Sequence, residues 1–412
     1  MQSDVLIIGA GAAGLAAAAR LRDTALTVTL AERLPRIGKK LLSTGNGRCN
    51  FSNTDMQPTY YHEAAPFVSA LYERTPPHTV LRFFEDIGLM SLSDEGRLYP
   101  RTNAASSVLD VLRFAINSPN IHVLTDTEIT GITAGDGFTA QTQSGETLRT
   151  KYVIFAPGGA AAPHLGTDGR SYALLKKLNL PVTALRPSLV QLKCRHPALP
   201  SLKGIRTQAT VSLHHGGETH SETGELLFAD YGVSGVCVFQ LSRFVPEHPE
   251  NVFLTISFLP EIPAADTSTW LWERISRFPD LPAENLFTGV LQRMIVLAIL
   301  KDAGISREKR SGDLSPAERN RLTEELTAFK LPVVGTLGME HAQVTRGGLA
   351  LGVVNPRTLE ALPGFYACGE VLDCDGICGG YNLHFAFTCG ITAADDILTK
   401  EHTGGITHDP SA

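Results

Sequence analysis

The chain has 412 residues, of which 43% are hydrophobic and 19% are charged, and its formal net charge is −6. This composition is typical of a globular protein and excludes a disordered chain. The acidic balance, without any basic stretch, also argues against a nucleic-acid-binding protein. The length predicts two or three domains with a sizeable core.

Apolar runs and cysteine usage indicate the compartment. No apolar run reaches the roughly 18 residues that a membrane-spanning helix needs, and the first residues lack the pattern of a signal peptide. The seven cysteines are odd in number and lack framework spacing, which favours a reducing compartment over a disulfide-stabilised secreted protein. We therefore expect a cytoplasmic protein without a membrane partner.

The first residues predict a phosphate-binding unit. Residues 4–8 form a short apolar run, typical of a parallel strand that is buried on both faces. Gly9, Gly11 and Gly14 follow in the pattern Gly-x-Gly-x-x-Gly, and an alanine-rich helix is predicted over 12–22. In this motif the first glycine allows a tight turn, the second admits a pyrophosphate and the third lets helix and strand pack closely. The helix N-terminus directs free N–H groups and a positive dipole end at the phosphates.

A carboxylate follows this unit at the expected place. A second predicted strand, Thr27 to Ala31, ends at Glu32, which lies 18 residues after Gly14. A ribose-binding carboxylate is expected roughly 20 residues after the last glycine. The whole unit predicts a Rossmann-type dinucleotide-binding domain; the alternative is a surface glutamate and a glycine turn in another α/β protein.

The far end of the chain favours FAD over a nicotinamide as the dinucleotide. Residues 365–370 form a predicted short strand that ends in Gly-Glu, and a glycine-rich loop leads into a helix from about Asn382 to Leu398. The Glu370 carboxylate can accept hydrogen bonds from ribityl hydroxyls. The N–H groups around Gly380 can stabilise negative charge on a reduced flavin ring.

Four further stretches are shared with a known family: residues 38–50 (Gly-Lys-Lys-Leu-Leu-Ser-Thr-Gly-Asn-Gly-Arg-Cys-Asn), 96–100 (Gly-Arg-Leu-Tyr-Pro), 153–159 (Val-Ile-Phe-Ala-Pro-Gly-Gly) and 224–228 (Gly-Glu-Leu-Leu-Phe) with Ser234-Gly235. On these residues the chain resembles the NAD(P)/FAD-dependent oxidoreductases that include aminoacetone oxidases and BaiN-type bile-acid reductases. This family belongs to the two-dinucleotide-binding flavoproteins with a glutathione-reductase-like FAD domain. The resemblance extends from Asp4 to about Leu398.

The resemblance implies a set of cofactor-binding residues. It implies that residues 38–50 wrap FAD, that the Gly158-Gly159 turn closes over the adenosine side, and that residues 371–382 line the flavin ring. With the first motif and the chain end, the predicted FAD-binding residues are Gly9, Gly11, Ala12, Ala13, Gly14, Glu32, Arg33, Lys40, Gly45, Asn46, Gly47, Arg48, Cys49, Asn50, Gly158, Gly159, Gly369, Glu370, Gly379, Gly380, Tyr381 and Asn382.

Three residues are candidates for catalysis. Tyr381 and Asn382 follow the glycine pair and can contact the flavin ring or the substrate, although a core tyrosine is the alternative for Tyr381. His384, early in the last helix, is a candidate proton donor, with capping or packing as the alternative. For Arg48 and Asn50 the alternative to a cofactor contact is a set of hydrogen bonds that stabilise their loop.

Other polar groups also cluster along the chain. We predict no metal site, because His214, His215 and His220 fit a solvent-facing hairpin and lack a closing ligand. Cys374 and Cys378 lie in the predicted flavin loop; a redox-active dithiol is one hypothesis, and packing is the favoured one. Asp230, where family members commonly carry histidine, is a candidate for the active site.

Composition shifts predict the domain organisation. An FAD-binding domain is expected from two segments, 1–187 and 345–412, with a flexible tail from about Glu401 and a small β-meander at 121–150. Between them, 188–344 is expected to be an inserted substrate (cap) domain, with a β part at about 188–258 and 330–344 and a helical part at about 259–329. The predicted fold class is thus α/β, with a Rossmann-type FAD-binding domain and an inserted β plus helical cap domain.

The predicted function is that of an FAD-dependent oxidoreductase that reduces an unsaturated small molecule with electrons from NAD(P)H. No second Gly-x-Gly-x-x-Gly unit follows a strand, so NAD(P)H is expected to dock only transiently against the flavin ring. The alternatives are an amine oxidase of the aminoacetone type that uses oxygen, an RNA-modifying flavoprotein, and a flavin-binding sensor. The expected partner is a small molecule and not a nucleic acid, and no particular oligomeric state is predicted.

Overall fold

The structure is a computed structural model and describes residues 1–404. Its strands are β1 (Gln2–Ile8), β2 (Val28–Ala31), β3 (Ser52–Asn53), β4 (Ser91–Asp94), β5 (Arg97–Pro100), β6 (Ile121–Leu124), β7 (Ile129–Gly135), β8 (Gly137–Thr142), β9 (Thr147–Phe155), β10 (Arg186–Ser188), β11 (Leu192–Cys194), β12 (Arg206–His215), β13 (Glu218–Ala229), β14 (Gly232–Ser234), β15 (Phe253–Ser257), β16 (Phe329–Thr336), β17 (Val344–Arg346), β18 (Glu360–Leu362) and β19 (Phe365–Ala367). Its α-helices are α1 (Ala12–Arg20), α2 (Lys39–Ser43), α3 (Ala65–Arg74), α4 (His78–Asp86), α5 (Ala105–Ala115), α6 (Tyr172–Lys177), α7 (Leu199–Leu202), α8 (Val236–Ser242), α9 (Ala264–Arg277), α10 (Arg293–Asp302), α11 (Pro316–Ala328) and α12 (Tyr381–Gly404).

The chain divides into two units. Unit 1 consists of Met1–Arg186 and the chain from Gln343 onward, and unit 2 is Pro187–Ala342. Each unit has its own hydrophobic core. The roles of unit 1 as the FAD-binding domain and of unit 2 as a cap remain predictions.

A mostly parallel sheet organises unit 1. Its strand order is β18-β19-β9-β1-β2-β6, and β1 pairs in parallel with both β2 and β9. The apolar side chains of β1 from Val5 to Ile8 are buried, as expected of a central parallel strand. Because β1, β9 and β19 run in the same direction, their carboxyl ends lie at one edge of the sheet. In open α/β sheets this edge is where ligands bind.

The predicted meander at 121–150 is partly wrong. Ile121–Leu124 forms β6, which pairs in parallel with β2 at the edge of the Rossmann sheet. The antiparallel meander consists of β7, β8 and β9 and begins only at Ile129. β6 exposes His122 and Val123 because it is the edge strand of the parallel sheet, and this partly exposed surface resembles that of an antiparallel strand.

Two helices pack closely across the sheet edge. Gly390 in α12 faces α1 so closely that an added Cβ would lie 2.2 Å from the carbonyl oxygen of Ala13. At Gly369, which has a φ of +76°, an added Cβ would lie 3.1 Å from the Cβ of Ala13 and 3.4 Å from the Cβ of Ala386. The first turn of α1 and the third turn of α12 are therefore fixed relative to each other by backbone contact, which is only possible because Gly390 has no side chain.

The last helix extends further than predicted. We expected a flexible tail from about Glu401, but α12 continues to Gly404. The Glu401 carboxylate accepts hydrogen bonds from the Lys151 ammonium and, at 2.8 Å, from the Tyr152 hydroxyl, and these bonds hold the end of the helix against β9. The rest of the expected tail, residues 405–412, lies outside the described residues.

Unit 2 combines a barrel with helices. Six strands close an antiparallel barrel in the order β11-β14-β13-β12-β15-β16. The long β12–β13 hairpin carries the three predicted hairpin histidines, where His214 stacks on Phe253 and His220 stacks on Phe244. The helical part contains α9, α10 and α11. The predicted α/β class, with a Rossmann sheet and an inserted β plus helical unit, is confirmed.

Among residues 1–404, no helix has the length and apolar character that crossing a membrane would require.

The start of α11 allows a test of unit 2. Ser315 and Glu318 form a capping box: the Ser315 hydroxyl accepts from the Glu318 N–H at 3.3 Å, and the Glu318 carboxylate accepts from the Ser315 N–H at 2.8 Å. We expect Ser315→Ala to lower the free energy of unfolding of unit 2 by about 1 kcal/mol, because it leaves a helix N–H without its partner. Both tryptophans, Trp270 and Trp272, lie in α9, so tryptophan fluorescence during urea unfolding follows this unit.

The matched control is Ser276→Ala, a change at an exposed position in the last turn of α9. It removes the same hydroxyl without removing a cap, so its urea midpoint is expected to stay at or slightly above that of the wild type. Equal midpoints for Ser315→Ala and the wild type would contradict the structural role of the capping box.

Candidate functional site

The glycine motif between β1 and α1 forms a tight turn with an open side. Gly9 has a φ of +97°, and an added Cβ there would lie 2.4 Å from the carbonyl oxygen of Ala156. An added Cβ at Gly14 would lie 1.9 Å from the carbonyl oxygen of Gly9. At Gly11, by contrast, an added Cβ meets no atom within 4 Å. The motif is therefore crowded by protein at its first and third glycines and open at the second, which is the arrangement that a pyrophosphate needs.

The free N–H groups of α1 begin at this open side. Gly11 is the N-cap residue of α1, and Ala12, Ala13 and Gly14 form its first turn. N–H groups in a first turn have no partner within the helix, so they and the helix dipole favour an anion in front of them.

Glu32 lies at the end of β2, beside this turn. Its two carboxylate oxygens accept hydrogen bonds from the N–H groups of Ala10 and Leu34, both at 2.9 Å. These bonds fix the direction of the carboxylate. Each oxygen keeps a second lone pair, so Glu32 can still accept from the hydroxyls of a ribose.

Two basic residues predicted to bind cofactor are held in protein contacts. The Arg33 guanidinium donates to the Gly166 carbonyl at 2.8 and 3.0 Å and pairs with Asp168 at 3.2 Å. The Lys40 ammonium pairs with the Glu370 carboxylate at 2.7 Å. The structure brings Lys40 and Glu370 together from positions 330 residues apart.

A threonine that the sequence analysis missed completes this cluster. The Thr345 hydroxyl accepts from the N–H of Ala160 at 2.7 Å and donates to Glu370 at 2.9 Å. Gly159 is part of the same contact, because an added Cβ there would lie 2.6 Å from a Glu370 carboxylate oxygen. No local pattern around Thr345 could have revealed this, since its partners on the Gly159 turn lie 185 residues earlier.

The block at 45–50 has an unusual backbone. Gly45, Asn46, Gly47 and Cys49 all have positive φ angles, between 55° and 83°. An added Cβ at Gly47 meets nothing within 4 Å, whereas one at Gly45 would lie 2.9 Å from the Asn50 N atom. A run of left-handed residues turns successive N–H groups into one concave surface, which suits an electron-rich ligand.

Arg48 and Asn50 in this block differ in how they are used. Arg48 donates to Asn103 at 2.8 Å, pairs with Asp94 at 3.1 Å and stacks 4.1 Å from the centre of the Tyr99 ring. These contacts stabilise the loop. The Oδ1 atom of Asn50 is buried without a hydrogen-bond partner among the described residues, and a Cβ on Gly380 would lie 2.8 Å from it.

The loop before α12 is fastened to β3. The Asn53 side-chain amide donates to the Gly379 carbonyl at 3.0 Å, and an added Cβ at Gly380 would lie 2.4 Å from the Ser52 carbonyl oxygen. Asn382 holds the same loop from the other side: its side-chain amide accepts from the Gly376 N–H at 2.8 Å and donates to the Gly376 carbonyl at 2.9 Å. The sequence analysis missed Ser52 and Asn53, although they lie only two and three residues after the block at 38–50.

Tyr381 lies in an aromatic cluster at the first turn of α12. Its ring centre is 4.9 Å from that of Tyr60, and its carbonyl accepts from the Tyr61 hydroxyl at 2.9 Å. Burial raises the pKa of the Tyr381 hydroxyl to about 12, so the phenol stays protonated at neutral pH. That hydroxyl makes no hydrogen bond to the described part of the chain and is not among its buried unpaired atoms, so solvent reaches it.

His384 lies in the interior of unit 1 and not at its surface. It is fully buried, its Nδ1 atom shares a hydrogen bond of 2.8 Å with the Ser52 hydroxyl, and its Nε2 atom has no partner among the described residues. Burial lowers the pKa of His384 from 6.5 to about 3, so the ring is neutral at physiological pH. It can serve as a neutral hydrogen-bonding group but not as an imidazolium acid.

The cysteines of the loop differ in exposure. All seven cysteines are free; six are buried, and Cys378 is half-buried. Burial raises the pKa of the Cys374 thiol well above its usual value, and it raises the pKa of Cys49 to about 11. Because the thiolate is the reactive form, Cys374 has the properties of a packing residue.

The remaining candidates of the sequence analysis are Asp230, in unit 2, and a metal site. Asp230 is exposed and pairs with Lys203 at 2.6 Å. Within residues 1–404, no group of three or more histidine, cysteine, aspartate or glutamate side chains is placed to hold a metal ion.

Comparisons with known proteins assign the chain to a family. Residues 3–396 match the family described as HI0933-like protein Rossmann domain. The chain belongs to this family of BaiN-type FAD-binding flavoproteins. The HI0933-like chain is 33% identical over 397 residues to the 3-dehydro-bile acid delta(4,6)-reductase of Clostridium scindens, covering 94% of this chain and 97% of that protein. It is 28% identical over 406 residues to the ribosomal RNA dihydrouridine synthase of Escherichia coli, covering 97% and 98%.

A solved structure shares the fold of this HI0933-like protein. The 3-ketosteroid delta1-dehydrogenase from Sterolibacterium denitrificans superposes with a TM-score of 0.51 at 14% identity, covering 97% of this chain and 100% of that chain. This likeness concerns the fold alone. With the family and the relatives, the protein is an FAD-dependent oxidoreductase.

The described residues fit the cofactor of the family. The space beside Gly11 and Gly47 is open, Glu32 retains free lone pairs, and the unpartnered Oδ1 atom of Asn50 lies next to Gly380. An open glycine cradle for phosphates, a ribose carboxylate and a concave loop with an unsatisfied polar atom are what an FAD molecule requires along its length. The contact of each residue with FAD remains a prediction.

Two glycine variants distinguish an effect on the stability of the apoprotein from an effect on its affinity for FAD. We expect Gly11→Ala to leave the melting temperature of the apoprotein unchanged, since its Cβ meets no protein atom and its φ of −85° suits alanine. The same methyl group enters the predicted pyrophosphate space, so FAD affinity should fall at least about tenfold, on the order of 1.4 kcal/mol. Flavin fluorescence titration of the apoprotein measures the affinity.

Gly14→Ala is the matched comparison. Its Cβ would clash with the Gly9 carbonyl oxygen, so the apoprotein is expected to lose about 1–3 kcal/mol of stability. An unchanged FAD affinity in a well-folded Gly11→Ala protein would contradict the pyrophosphate site.

His384 should make the stability of unit 1 depend on pH. Its pKa is lower in the folded protein than in the unfolded chain, so the unfolded state alone takes up a proton as the pH falls from about 6.5 toward 3. Relative to His384→Gln, the wild type should lose about 2 kcal/mol of stability by pH 5, at about 1.4 kcal/mol per pH unit. The release of fluorescent flavin on heating measures this loss.

The control for this measurement is His402→Gln, because His402 is an exposed histidine of the same helix. Its melting temperature should follow the wild-type pH dependence. If His384→Gln also kept the wild-type pH dependence, the buried neutral imidazole would be the wrong description.

Proposed function

We propose that this protein uses NAD(P)H to reduce a carbon–carbon double bond conjugated to a carbonyl group in a small molecule. The observation that carries the proposal is the agreement between two kinds of relatives that match nearly the whole chain. The name of one describes a reductase of the delta(4,6) double bonds of a 3-dehydro-bile acid, and that of the other describes the formation of dihydrouridine. Both names describe hydrogen added across a double bond beside a carbonyl.

The proposal assigns the cofactor-binding work to named parts of unit 1. The first turn of α1 beside Gly11 would hold the pyrophosphate, and Glu32 would hold the adenosine ribose. The loop at 45–50 and the loop before α12 would hold the flavin ring, fastened together by the Asn53 contact with Gly379. Bound FAD supplies the hydride transfer between the nicotinamide and the substrate.

Reduction of a double bond also needs a proton, and Tyr381 is the group best suited to supply it. Its raised pKa keeps the hydroxyl protonated, and the hydroxyl is accessible and makes no hydrogen bond to the described residues. His384, buried and neutral, would instead support the backbone of β3 through Ser52. Tyr381 is therefore proposed as the proton donor and His384 as a positioning residue.

NAD(P)H is proposed as a transient electron donor. The sequence contains a single Gly-x-Gly-x-x-Gly unit after a strand, and the structure uses that unit between β1 and α1. A nicotinamide would therefore approach the flavin ring, leave after hydride transfer and make room for the substrate.

A second candidate substrate is a uridine in ribosomal RNA. The identity of 28% over 97% of the chain to a ribosomal RNA dihydrouridine synthase favours it. The net charge of −6 and the lack of a basic stretch oppose it, since the affinity for RNA comes largely from phosphate contacts with lysine and arginine. We therefore place the small molecule first.

An anaerobic titration of the purified holoprotein with NADH and with NADPH tests the proposal. We expect one of them to bleach the flavin absorbance within seconds and 2-cyclohexen-1-one to restore it in the absence of oxygen. Incubation of the reduced protein with unmodified ribosomal RNA, followed by a dihydrouridine assay, tests the second candidate.

The possible outcomes separate the alternatives. Dihydrouridine formation without turnover of the enone would replace the first candidate by the second. A flavin that neither nicotinamide reduces, but that aminoacetone reduces and oxygen reoxidises, would refute the reductase in favour of an amine oxidase.

A further inference from the structure

Arg97, at the start of β5, has an unusual lack of partners. It is half-buried, yet among residues 1–404 no carboxylate lies within 4.0 Å of its guanidinium and no hydrogen bond of its side chain is formed. Its cross-strand neighbour Asp94 pairs instead with Arg48, at 3.1 Å. None of its guanidinium nitrogens is among the buried unpaired atoms of residues 1–404, so solvent reaches them and all five donors are available to a ligand.

The strand register directs Arg97 toward the loop before α12. Arg97 pairs with Asn53 in the antiparallel β3–β5 ladder, so the two side chains lie on the same face of this small sheet. The Asn53 side chain on that face donates to the Gly379 carbonyl at 3.0 Å. Gly379 in turn contacts Tyr381, since an added Cβ there would lie 2.9 Å from the Tyr381 ring.

The effect of the Arg97 charge on the pKa values of neighbouring residues agrees with a position of Arg97 beside the loop before α12. Burial raises the pKa of Tyr381, and the nearby Tyr60 and Asp55 raise it further, while the positive charge of Arg97 opposes them. Burial also raises the pKa of Cys378, and Arg97 again opposes the increase. Arg97 therefore lies near enough to act on both residues that flank the glycine pair Gly379-Gly380.

Two other donors near this face are already used. The Tyr60 hydroxyl donates to Asp55 at 2.5 Å, and Arg48 is held by Asp94 and Asn103. Among these residues, only Arg97 and Tyr381 keep side-chain donors without a protein acceptor. Both are donors at neutral pH, so together they select an oxygen atom that is negatively charged or becomes so.

We propose that the Arg97 guanidinium and the Tyr381 hydroxyl receive the carbonyl oxygen of the substrate and stabilise the negative charge that develops on it during reduction. This assignment rests on the proposed function and adds Arg97 as a catalytic residue. It also restricts the substrate class to compounds whose double bond is conjugated to an accessible carbonyl.

The reaction balances with NAD(P)H as the reductant. The carbon β to the carbonyl gains a hydride, the electron pair of the C=C bond moves to form an enolate, and NAD(P)H is oxidised to NAD(P)⁺. The enolate oxygen is held by Arg97 and Tyr381. The α carbon then takes a proton from the Tyr381 hydroxyl, which water reprotonates, and the saturated carbonyl compound leaves.

The first test measures binding of an enolate mimic without turnover. The probe is 4-nitrophenol, whose coloured phenolate resembles an enolate, titrated into the oxidised holoprotein. We expect the wild type to bind the phenolate, and Arg97→Met to bind it at least about tenfold more weakly, or about 1.4 kcal/mol. Arg101→Met, an exposed arginine just beyond the other end of β5, is the matched control and should bind as the wild type does.

Equal phenolate affinity in Arg97→Met and the wild type would overturn the proposal, and so would a wild type that does not bind the phenolate. Because this readout needs neither NAD(P)H nor turnover, it stands or falls separately from the proposed function. Arg97→Lys keeps the charge but loses the planar fork, so it should recover part of the affinity. Arg97→Lys is also the control for folding, because recovered affinity in this variant would show that the loss in Arg97→Met comes from the missing guanidinium.

The second test divides the catalytic cycle into its two halves. In anaerobic stopped flow, NAD(P)H should reduce the flavin of Arg97→Met and Tyr381→Phe within about twofold of the wild-type rate. Reoxidation by 2-cyclohexen-1-one should slow about 100-fold or more, as expected on loss of a donor to a developing oxyanion. Reoxidation of Arg97→Met at the wild-type rate would refute the catalytic role of Arg97.

Discussion

The close approach of α1 to its surroundings is the constraint on which unit 1 depends. Gly14 allows the helix to touch the turn at Gly9, and Gly390 allows α12 to touch the backbone of Ala13. No side chain could occupy these contacts without displacing a helix. The first turn of α1 is thereby held at the carboxyl edge of the sheet with its N–H groups directed to the open side at Gly11, and Glu32 is held against the same turn by the Ala10 N–H.

The same contacts explain how distant segments come together at one edge. The parallel strands β1, β9 and β19 end side by side, so the chain after each of them lies near the others. The chain after β19 leads into the loop that α12 holds in place through Asn382. Ser52 and Asn53 then connect this loop and helix to the left-handed block that precedes β3. The candidate site is thus a consequence of strand direction and of backbone packing.

The features that the sequence could predict are those encoded within one segment. The strand, turn and helix around Gly9 to Gly14 and the acid at Glu32 follow from local spacing. The sheet position of β6 could not be read, because four residues carry no information on which strand they pair with. The hydrogen bond of Thr345 with Glu370 could not be predicted either, and nor could the lack of a protein partner for the Arg97 side chain within residues 1–404. Both depend on residues that only the tertiary fold brings together.

Burial has one common effect on the ionisable groups near the loop before α12. It raises the pKa of Cys374 and Tyr381 and lowers that of His384, so each of them favours its neutral form. Arginine cannot be neutralised in this way, and Arg97 therefore remains as a fixed positive charge among neutral donors. At a partly buried position such a charge acts more strongly on a nearby oxygen than it would at the fully exposed surface. A site of this kind gains most from a substrate whose charge appears only during the reaction, because a permanently charged ligand would have to lose its hydration before it could bind.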